Sequence, residues 1–587
     1  MKIAVVGGGI TGAVVASELA RALALENTKD GDNDGERKSN IINNSVVVVF
    51  DQGRRGPGGR ASHRAVAMTS TPNVSVAEEG NDPEGTTQWN FEVLTNDDDI
   101  DPSALHFDHG CQFFRADTPA MKDLVERWRA EGWVEEWNAR FGSLPEPEPE
   151  IPSSSSSSSP LPSECSPKED NDNPKDFFGI PSLSPNRINV GETGTDTFPE
   201  QASNPVYIGV GGMHLLPRRI LESSSPFVKV HKGTRVSGVK RRKRRKQNAT
   251  DDDNDKVESN TESSFLWDVT TTVGAAAFHD TSESKATEEL ARAVTTEASA
   301  AGEDPSAKNK NNHKNNTTRI VVHRGFDAVV FTDISSSSEP WHRASAGGIP
   351  ESFRSRLPTK FRVPLFSCMI ALRSPVRHLL PYDAFVASSS SSSSSISPLW
   401  FAACSQSKPG VPTPGPAECW TLVSTPSFAV DEIRDTTMRD PVTGAFRPQE
   451  NDYLNVGPGP KLAEAFFDLV RPYRGASTGS DESVLYLQAQ RWGTGLPIDP
   501  DRAAVPPEDI CGTRYVSRFR GSLVYGNDDD DDDDDAENDS RSNFVADDDQ
   551  GLYYAGDFCS HLNPGMEAAS LSGKDLAEHI LSRQSPR

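Results

Sequence analysis

MKIAVVGGGITG, residues 1–12, is the stretch that decides the fold of this chain. Within it, Lys2 to Val6 is short, apolar and rich in β-branched residues, which is typical of a central parallel strand covered on both faces. The residues that follow the turn, Ala13 to Leu25, are predicted to form a helix. A strand, a glycine-rich turn and a helix in direct succession predict the first unit of an open parallel sheet.

Gly7, Gly9 and Gly12 of this turn fall in the order G-x-G-x-x-G. In that order the first glycine permits the tight turn, the second lets the backbone approach a pyrophosphate, and the third lets the helix pack on the strand. The N–H groups of the first helical turn have no intrahelical partners and carry the positive end of the helix dipole, so a dinucleotide phosphate is the natural ligand. The spacing alone leaves open the alternative of a glycine-rich turn that binds nothing.

The same fingerprint needs an acidic residue at the end of the second strand, about 20 residues after the turn, to hold ribose hydroxyls. Asp51 ends the strand-like run Val46 to Phe50, but it lies 39 residues after Gly12. Asn27 to Asn44 is a polar run of 18 residues without apolar periodicity, and the spacing without it is 21. We therefore predict a surface insertion at 27–44 and a ribose-binding role for Asp51.

Low-complexity segments take up much of the 587-residue chain. The homopolymer runs are Ser153 to Ser159, Ser388 to Ser395 and Asp528 to Asp535. Such segments bury too little apolar surface to offset the entropy of ordering them, so we expect disordered insertions. Roughly 350 to 400 residues remain, which is the size of a two-domain enzyme. The formal charge of −26 argues against a nucleic-acid partner.

Cysteine spacing and apolar runs bear on the cellular compartment. The seven cysteines lack C-x-x-C spacing, which indicates neither a zinc site nor a disulfide framework, and we expect no metal. The first strand begins at Lys2, and no apolar run approaches the ~20 residues of a membrane helix, so we expect no signal peptide and a cytoplasmic protein without a membrane partner. KRRKRRK at Lys240 to Lys246 could instead direct nuclear import, but a charged hairpin tip explains it equally well.

The second glycine-rich stretch, DQGRRGPGGRAS at residues 51–62, is more specific than the first. Its glycines let backbone lie close to a ligand, and its arginines offer fixed forks to phosphate oxygens, although a basic surface turn is the plain alternative. The stretch resembles the second FAD-binding signature of the flavin amine oxidase superfamily. The resemblance implies that the loop wraps the pyrophosphate and ribityl side of the cofactor through Gly53, Arg54, Gly58, Gly59, Arg60 and Ser62.

Two further blocks resemble the renalase-like branch of that superfamily. They are LHFDHGCQFF at residues 105–114 and QAQRWG at residues 488–493. The resemblance places His109 and Gln112 near the flavin, although both residues could equally be part of an ordinary turn. It also implies that Arg491 and Trp492 are the catalytic candidates beside the flavin ring.

The remaining cofactor contacts are implied by blocks in the middle and at the end of the chain. In family members the backbone of the residue that matches Val236 contacts the adenine. A strand ending in Gly556 and Asp557 places an aspartate on a ribityl hydroxyl, and a closing helix that begins near Met566 and Glu567 points its dipole at the flavin. No cysteine stands in a recognisable covalent-flavin motif, so FAD is expected to bind non-covalently.

The fold implied is α/β: an FAD-binding Rossmann-type parallel sheet domain with a second mixed-sheet (α+β) substrate domain and long disordered insertions. The first domain is predicted at 1–69, 205–333 and 544–587, with hairpin insertions at 240–264 and 275–318. The substrate domain is predicted at 85–145 and 346–525, with a Ser-rich insertion at 388–395, a low-complexity linker at 146–204 and an acidic loop at 526–543. Met121 to Asn138 is predicted as a helix, and three strands are predicted between Phe361 and Trp420.

The predicted activity is that of an FAD-dependent oxidoreductase that takes a hydride from a small-molecule donor, with molecular oxygen as acceptor. The sequence contains no second glycine fingerprint for a dedicated NAD(P)H domain. The renalase resemblance implies dihydronicotinamide-type donors, and the wider superfamily implies amines or polyamines as the alternative. A further alternative is a catalytically degenerate FAD-binding protein whose insertions recruit partners. The oligomeric state is not indicated.

Overall fold

The structure is a computed structural model that describes residues 1–29, 46–53, 55–71, 88–94, 103–145, 205–243, 265–273, 319–332, 348–358, 361–388, 397–413, 415, 417–434, 436, 451–474, 484–498, 542–562 and 564–583. The strands are β1 (Lys2–Val6), β2 (Val46–Phe50), β3 (His63–Thr71), β4 (Gln88–Val93), β5 (Leu105–Asp108), β6 (Phe114–Arg115), β7 (Val134–Glu136), β8 (Phe141–Pro145), β9 (Val206–Gly209), β10 (Val228–His231), β11 (Thr234–Lys243), β12 (Phe265–Val273), β13 (Arg319–Phe326), β14 (Ala328–Phe331), β15 (Phe361–Leu372), β16 (Ala384–Ser388), β17 (Leu399–Cys404), β18 (Glu418–Ser424), β19 (Val484–Ile498), β20 (Phe544–Asp547) and β21 (Leu552–Ala555). The helices are α1 (Ile10–Lys29), α2 (Pro119–Ala130), α3 (Leu215–Ser223), α4 (Glu351–Arg354), α5 (Pro426–Arg434), α6 (Asn451–Val456), α7 (Pro458–Arg474) and α8 (Met566–Ser582).

The first six-stranded sheet has the order β10-β2-β1-β14-β21-β20. All neighbours are parallel except β20, which is antiparallel to β21. Alternate residues of β1 enter two different cores: Ile3 and Val5 pack with apolar residues of α1 and α8, and Ala4 and Val6 pack with residues of β11, β12 and β13. The sheet is therefore covered on both faces, as its continuous apolar strands predict.

The second six-stranded sheet has the order β19-β15-β18-β17-β16-β8. Its pairs are antiparallel except β16 and β8, which are parallel. The three strands predicted between Phe361 and Trp420 are present as β15, β17 and β18. They are joined by β19 and β16, which the sequence patterns did not identify, and α7 packs apolar side chains on one face. Smaller three-stranded sheets, β4-β3-β5, β6-β9-β7 and β11-β12-β13, complete the fold.

Two predicted helices differ from the observed ones. Helix α1 begins at Ile10, three residues before the predicted start. The prediction of a helix from Met121 to Asn138 is wrong in its second half, because α2 ends at Ala130 and the chain enters β7 at Val134. The cause is Gly132, whose φ of 70° lies in the left-handed region that ends helices.

Several predictions lie outside the described residues. They concern the predicted linker and the larger parts of the predicted insertions, namely 30–44, 146–204, 244–264, 275–318, 389–395 and 526–541. Lys240 to Lys243 of the basic run lie in β11 and pair with residues 265–268 of β12. Among the helices that the structure describes, none is long and apolar enough to cross a membrane.

Candidate functional site

A cavity of about 330 Å³ is lined by residues of both six-stranded sheets. The first sheet contributes the carboxyl ends of β1 and β2 and the start of α1, and the second contributes parts of β15, β18 and β19. The carboxyl ends of parallel strands are the usual ligand edge of an open α/β sheet. The wall residues therefore come from segments that are far apart in the sequence.

The glycine turn between β1 and α1 forms one end of this cavity. Gly7 has a φ of 109° and donates its N–H to the carbonyl of Phe50 over 2.9 Å, which ties the turn to the end of β2. A Cβ on Gly12 would lie 2.0 Å from the Gly7 carbonyl oxygen, so only glycine lets the helix pack this closely on the turn. Gly7 and Gly9 line the cavity, whereas Gly12 lies behind them.

Asp51 lies directly after β2 and is 5% exposed. Its Oδ2 accepts a hydrogen bond from Gly8 N at 2.9 Å, and its Oδ1 accepts one from Gly53 N at 2.8 Å. The carboxylate thus bridges the two glycine-rich turns at the wall of the cavity. Gly53 itself does not line the cavity, since its place is behind the aspartate.

The second glycine-rich loop packs directly on the first. Gly58 N donates to Gly8 O at 3.1 Å, and a Cβ on Gly59, whose φ is 57°, would lie 3.3 Å from Gly9 Cα. Ser62 Oγ is hydrogen-bonded to Gly59 O and does not reach the cavity. The loop is therefore held by contacts with the first turn.

Arg60 and Asp557 form the charged pair of the cavity. Arg60 Nη2 is hydrogen-bonded to Asp557 Oδ1, and Nη1 donates to Gly495 O at 3.2 Å. Burial alone would lower the pKa of Arg60, but the Asp557 carboxylate raises it, so the guanidinium stays charged. Asp557 is 2% exposed, and its Oδ2 has no hydrogen-bond partner among the described residues. Gly556, just before it, donates its N–H to Ser572 Oγ at 2.8 Å and does not line the cavity.

The start of α8 lies against the cavity through Met566, but Glu567 points elsewhere. The Glu567 carboxylate accepts hydrogen bonds from Thr118 N at 2.8 Å and Asp117 N at 3.2 Å. Its side chain therefore binds the backbone just before α2. Any contribution of Glu567 to the site would therefore come from its backbone at the helix start, and the predicted cofactor role of this residue stays a prediction.

Trp492 and its neighbours form the opposite wall. Trp492 Nε1 donates to His109 O at 2.9 Å and to Ser367 Oγ at 3.2 Å, and the rings of Trp492 and His109 stack at 5.5 Å. Leu365, Val423 and Leu496 complete this wall with apolar surface. Burial first, and then the charges of Arg64 and Arg55, hold the pKa of His109 well below its usual value, so its imidazole is neutral at neutral pH.

Arg491, the residue before Trp492, does not line the cavity. Adjacent residues of a strand point to opposite faces, and Arg491 Nη1 donates to Thr436 O at 2.7 Å on the far side of β19. The Arg491 side chain is therefore directed away from the cavity, in contrast to the expectation that it lies with Trp492 beside the flavin ring.

The structure thus brings most of the predicted site residues to one cavity. Those that line it are Gly7, Gly9, Asp51, Gly58, Arg60, Val236, Trp492, Asp557 and Met566. Those that do not line it are Gly12, Gly53, Gly59, Ser62, Arg491, Gly556 and Glu567, and Arg54 lies outside the described residues. Sequence reasoning missed the lining residues Thr11, Thr332, Leu365, Ser367 and Val423, because none of them carries a residue type or spacing that distinguishes a ligand contact in the sequence.

No protein-family model matches this chain, and no curated protein matches it. Among solved structures, putrescine oxidase bound to putrescine is similar at 11% sequence identity, covering 99% of this chain and 100% of that chain, with a TM-score of 0.40. Reduced UDP-galactopyranose mutase is similar at 11% identity over 100% and 96% of the two chains, with a TM-score of 0.41. These values are too low to support any conclusion about this chain, so the cavity is interpreted from its own geometry.

Proposed function

We propose that this chain is an FAD-dependent oxidoreductase that takes a hydride from a small-molecule donor. The donor is of the dihydronicotinamide type, as in the renalase-like branch, and molecular oxygen is the electron acceptor. FAD is held non-covalently.

The observation that carries the proposal is the carboxylate of Asp557. Its Oδ2 is buried in the cavity wall without a hydrogen-bond partner among the described residues. An unsatisfied buried acceptor costs about 1–3 kcal/mol, and more when it is charged. A ligand hydroxyl that donates to this oxygen would remove that cost, and the resemblance assigns the same residue to a ribityl hydroxyl of FAD.

The rest of the cavity supplies groups that suit the other parts of FAD. The first N–H groups of α1, beside Gly9, and the guanidinium of Arg60 favour an anionic pyrophosphate. Asp51 and Val236 also line the cavity, where the resemblance assigns the Asp51 carboxylate to ribose hydroxyls and the backbone of Val236 to adenine. When bound, FAD would supply a two-electron acceptor for the hydride. The chain would hold the donor carbon in place against the wall that contains Trp492.

The charges of the cavity favour a neutral ring over a cationic amine as the donor. Among the described lining residues, the carboxylates are Asp51 and Asp557. Asp51 binds two backbone N–H groups, and Asp557 is paired with Arg60. The described part of the wall formed by β15, β18 and β19 contains no carboxylate, so an ammonium there would lack an ion-pair partner. An uncharged dihydronicotinamide ring can instead pack on Trp492.

Two measurements test the proposal. Purified protein should carry about one flavin per chain, released by denaturation, and a protein that stays colourless after incubation with FAD would refute it. Rapid mixing without oxygen should then show bleaching of the flavin absorbance by dihydronicotinamide nucleotides. Bleaching by putrescine or spermidine alone would favour the amine oxidase alternative, and bleaching by neither class would favour a degenerate FAD-binding protein.

A further inference from the structure

A buried ion pair connects the end of β5, beside the cavity wall, with the second six-stranded sheet. Lys408 Nζ lies 3.0 Å from Asp108 Oδ2, and both side chains are 1% exposed. Asp108 ends β5, whereas Lys408 comes shortly after β17 of the second six-stranded sheet. Neither residue lines the cavity.

Lys408 also contacts the other end of the segment that Asp108 begins. Its ammonium donates to Gln112 Oε1 at 3.1 Å, and Gln112 Nε2 in turn donates to Gly110 O at 3.1 Å. Between Asp108 and Gln112 lie three residues, His109, Gly110 and Cys111, and all three line the cavity. One ammonium therefore holds both ends of this wall segment.

The wall segment fits its surroundings closely. Cys111 N donates to Arg60 O at 2.7 Å, and a Cβ on Gly110 would lie 2.0 Å from the same oxygen. On its other side, the carbonyl of His109 accepts the hydrogen bond from Trp492. A small shift of the segment would therefore move the backbone that contacts Arg60 and the ring that stacks on Trp492.

The second oxygen of Asp108 is also satisfied. Asp108 Oδ1 accepts hydrogen bonds from His63 Nδ1 and Met213 N, both at 3.0 Å. Burial alone would raise the pKa of Asp108, but the Lys408 ammonium, and then His63, hold it well below its usual range. Buried ion pairs of this kind are often no more stabilising than an apolar pair of similar volume. A role in positioning the segment gives a reason for burying these charges.

A metal site is the competing interpretation of this cluster. His63, Asp108 and His214 offer ligand atoms within 4.8 Å of one another. However, His63 already uses Nδ1 for Asp108 and Nε2 for His106, and the rings of His63 and His214 stack nearly parallel, at 17°. A histidine binds a metal ion through a nitrogen lone pair that lies in the plane of its ring. Two stacked, nearly parallel rings lie in different planes, so a single ion cannot lie in both.

We propose that Lys408 is a positioning residue that clamps the wall segment His109–Gly110–Cys111 through Asp108 and Gln112. The clamp sets the shape of the cavity beside Trp492 without touching its ligand. Its effect on turnover rests on the proposed function. Its effect on the segment does not, and the two are tested separately.

The test compares Lys408→Met with the control Lys461→Met. Lys461 lies in α7, and its side chain is 54% exposed. Loss of the Lys408 charge also raises the pKa of the Cys111 thiol, so the alkylation rate must be measured over a pH series and expressed per thiolate. In cofactor-free protein, this rate for Cys111, followed by peptide mass spectrometry, should become at least about tenfold faster in Lys408→Met, because the segment opens more often. The buried Cys368 serves as the internal reference and should not change. In the loaded enzyme, we expect FAD affinity within about threefold of the parent and kcat lower by up to about a hundredfold, as a misplaced cavity wall predicts.

The double variant Lys408→Met/Asp108→Asn keeps the proposal testable if the single variant does not fold. It removes both charges, so no uncompensated buried charge remains, but the clamp is still absent. It should therefore fold and still show fast alkylation of Cys111. A folded variant of either kind with parental alkylation of Cys111 and parental kcat would overturn the clamp. Failure of the proposed function would instead appear as absence of bound flavin in the parent protein.

Discussion

Asp557→Asn gives the sharpest test of the proposal that the cavity holds FAD. Asparagine has the size of aspartate, so the side chain still fits between Arg60 and α8. Its carbonyl oxygen can still accept the hydrogen bond that Arg60 gives to Asp557 Oδ1. The position of the unpartnered Oδ2, however, becomes an amide that donates. The substitution therefore removes one charged acceptor while it keeps the shape of the site.

The expected loss follows from the chemistry of that oxygen. A hydrogen bond to a charged group contributes about 1.5–3 kcal/mol, and every 1.4 kcal/mol is tenfold in a dissociation constant. If a ribityl hydroxyl donates to Asp557 in the holoprotein, Asp557→Asn should weaken FAD binding by about ten- to a hundredfold.

Titration calorimetry of FAD into the cofactor-free protein measures this change directly. The matched control is Asp549→Asn, which makes the same change of charge at an exposed position in the same C-terminal segment. The control should bind FAD like the parent. Equal affinity of the parent and Asp557→Asn, with both proteins folded, would refute the placement of a cofactor hydroxyl on this carboxylate.

Three further predictions concern the wall, the buried histidines and β19. Gly110→Ala should lower the free energy of unfolding by about 1–3 kcal/mol through overpacking, measured by urea denaturation, because its Cβ would lie 2.0 Å from the Arg60 carbonyl oxygen. Burial first, and then neighbouring charges, lower the pKa of His214 to about 2 from 6.5, so the folded state excludes a proton that the unfolded chain binds as the pH falls below 6.5. The free energy of unfolding therefore falls as the pH drops below 6.5, because the unfolded chain gains this proton and the folded state does not. Between pH 7.5 and 5.5, denaturation measurements should show a fall that is about 1.4 kcal/mol smaller in His214→Gln than in the parent. Trp492→Ala should slow flavin reduction by a dihydronicotinamide at least about tenfold in rapid mixing, whereas Arg491→Met on the opposite face should leave it within about threefold.

The first sheet could be predicted because each of its central strands carries its own local signal. β1 and β2 are five-residue apolar runs that end in a glycine turn and an aspartate, and their observed bounds are those predicted. Asp557 was also predictable, since it follows a buried strand and a glycine. In each case the residue that lines the cavity lies next to a strand end, where its position is fixed by one element.

Side-chain direction was harder to predict where it depends on distant elements. Glu567 lies at the start of α8, which suited a cofactor contact, but its partners are the backbone N–H groups of residues 117 and 118, 449 or more residues away. Arg491 and Trp492 were both assigned to the site, although the two-residue period of a strand allows only one of two neighbours to face a given cavity. The sequence patterns did not identify β19 as a strand, so the alternation of side chains between its two faces could not be used to separate Arg491 from Trp492.

The long connections 244–264 and 274–318 leave the strands β11, β12 and β13 paired, and the residues that flank each connection show why. Lys243 and Phe265, which flank the connection 244–264, are paired with each other, and so are Val273 and Arg319, which flank 274–318. Each connection therefore leaves and returns at a closed pair, whatever its length. The entropy of closing a loop grows slowly, by about 0.6 kcal/mol for each doubling of length, so long additions at such points cost the fold little.

Long-range side-chain pairs are not revealed by any local sequence pattern. Asp108 and Lys408 lie 300 residues apart in the sequence, and Arg60 and Asp557 lie 497 residues apart. These contacts depend on the strands that carry the residues. The motifs therefore predicted Arg60 and Asp557 separately but not their pairing, and the clamp could be recognised only in three dimensions.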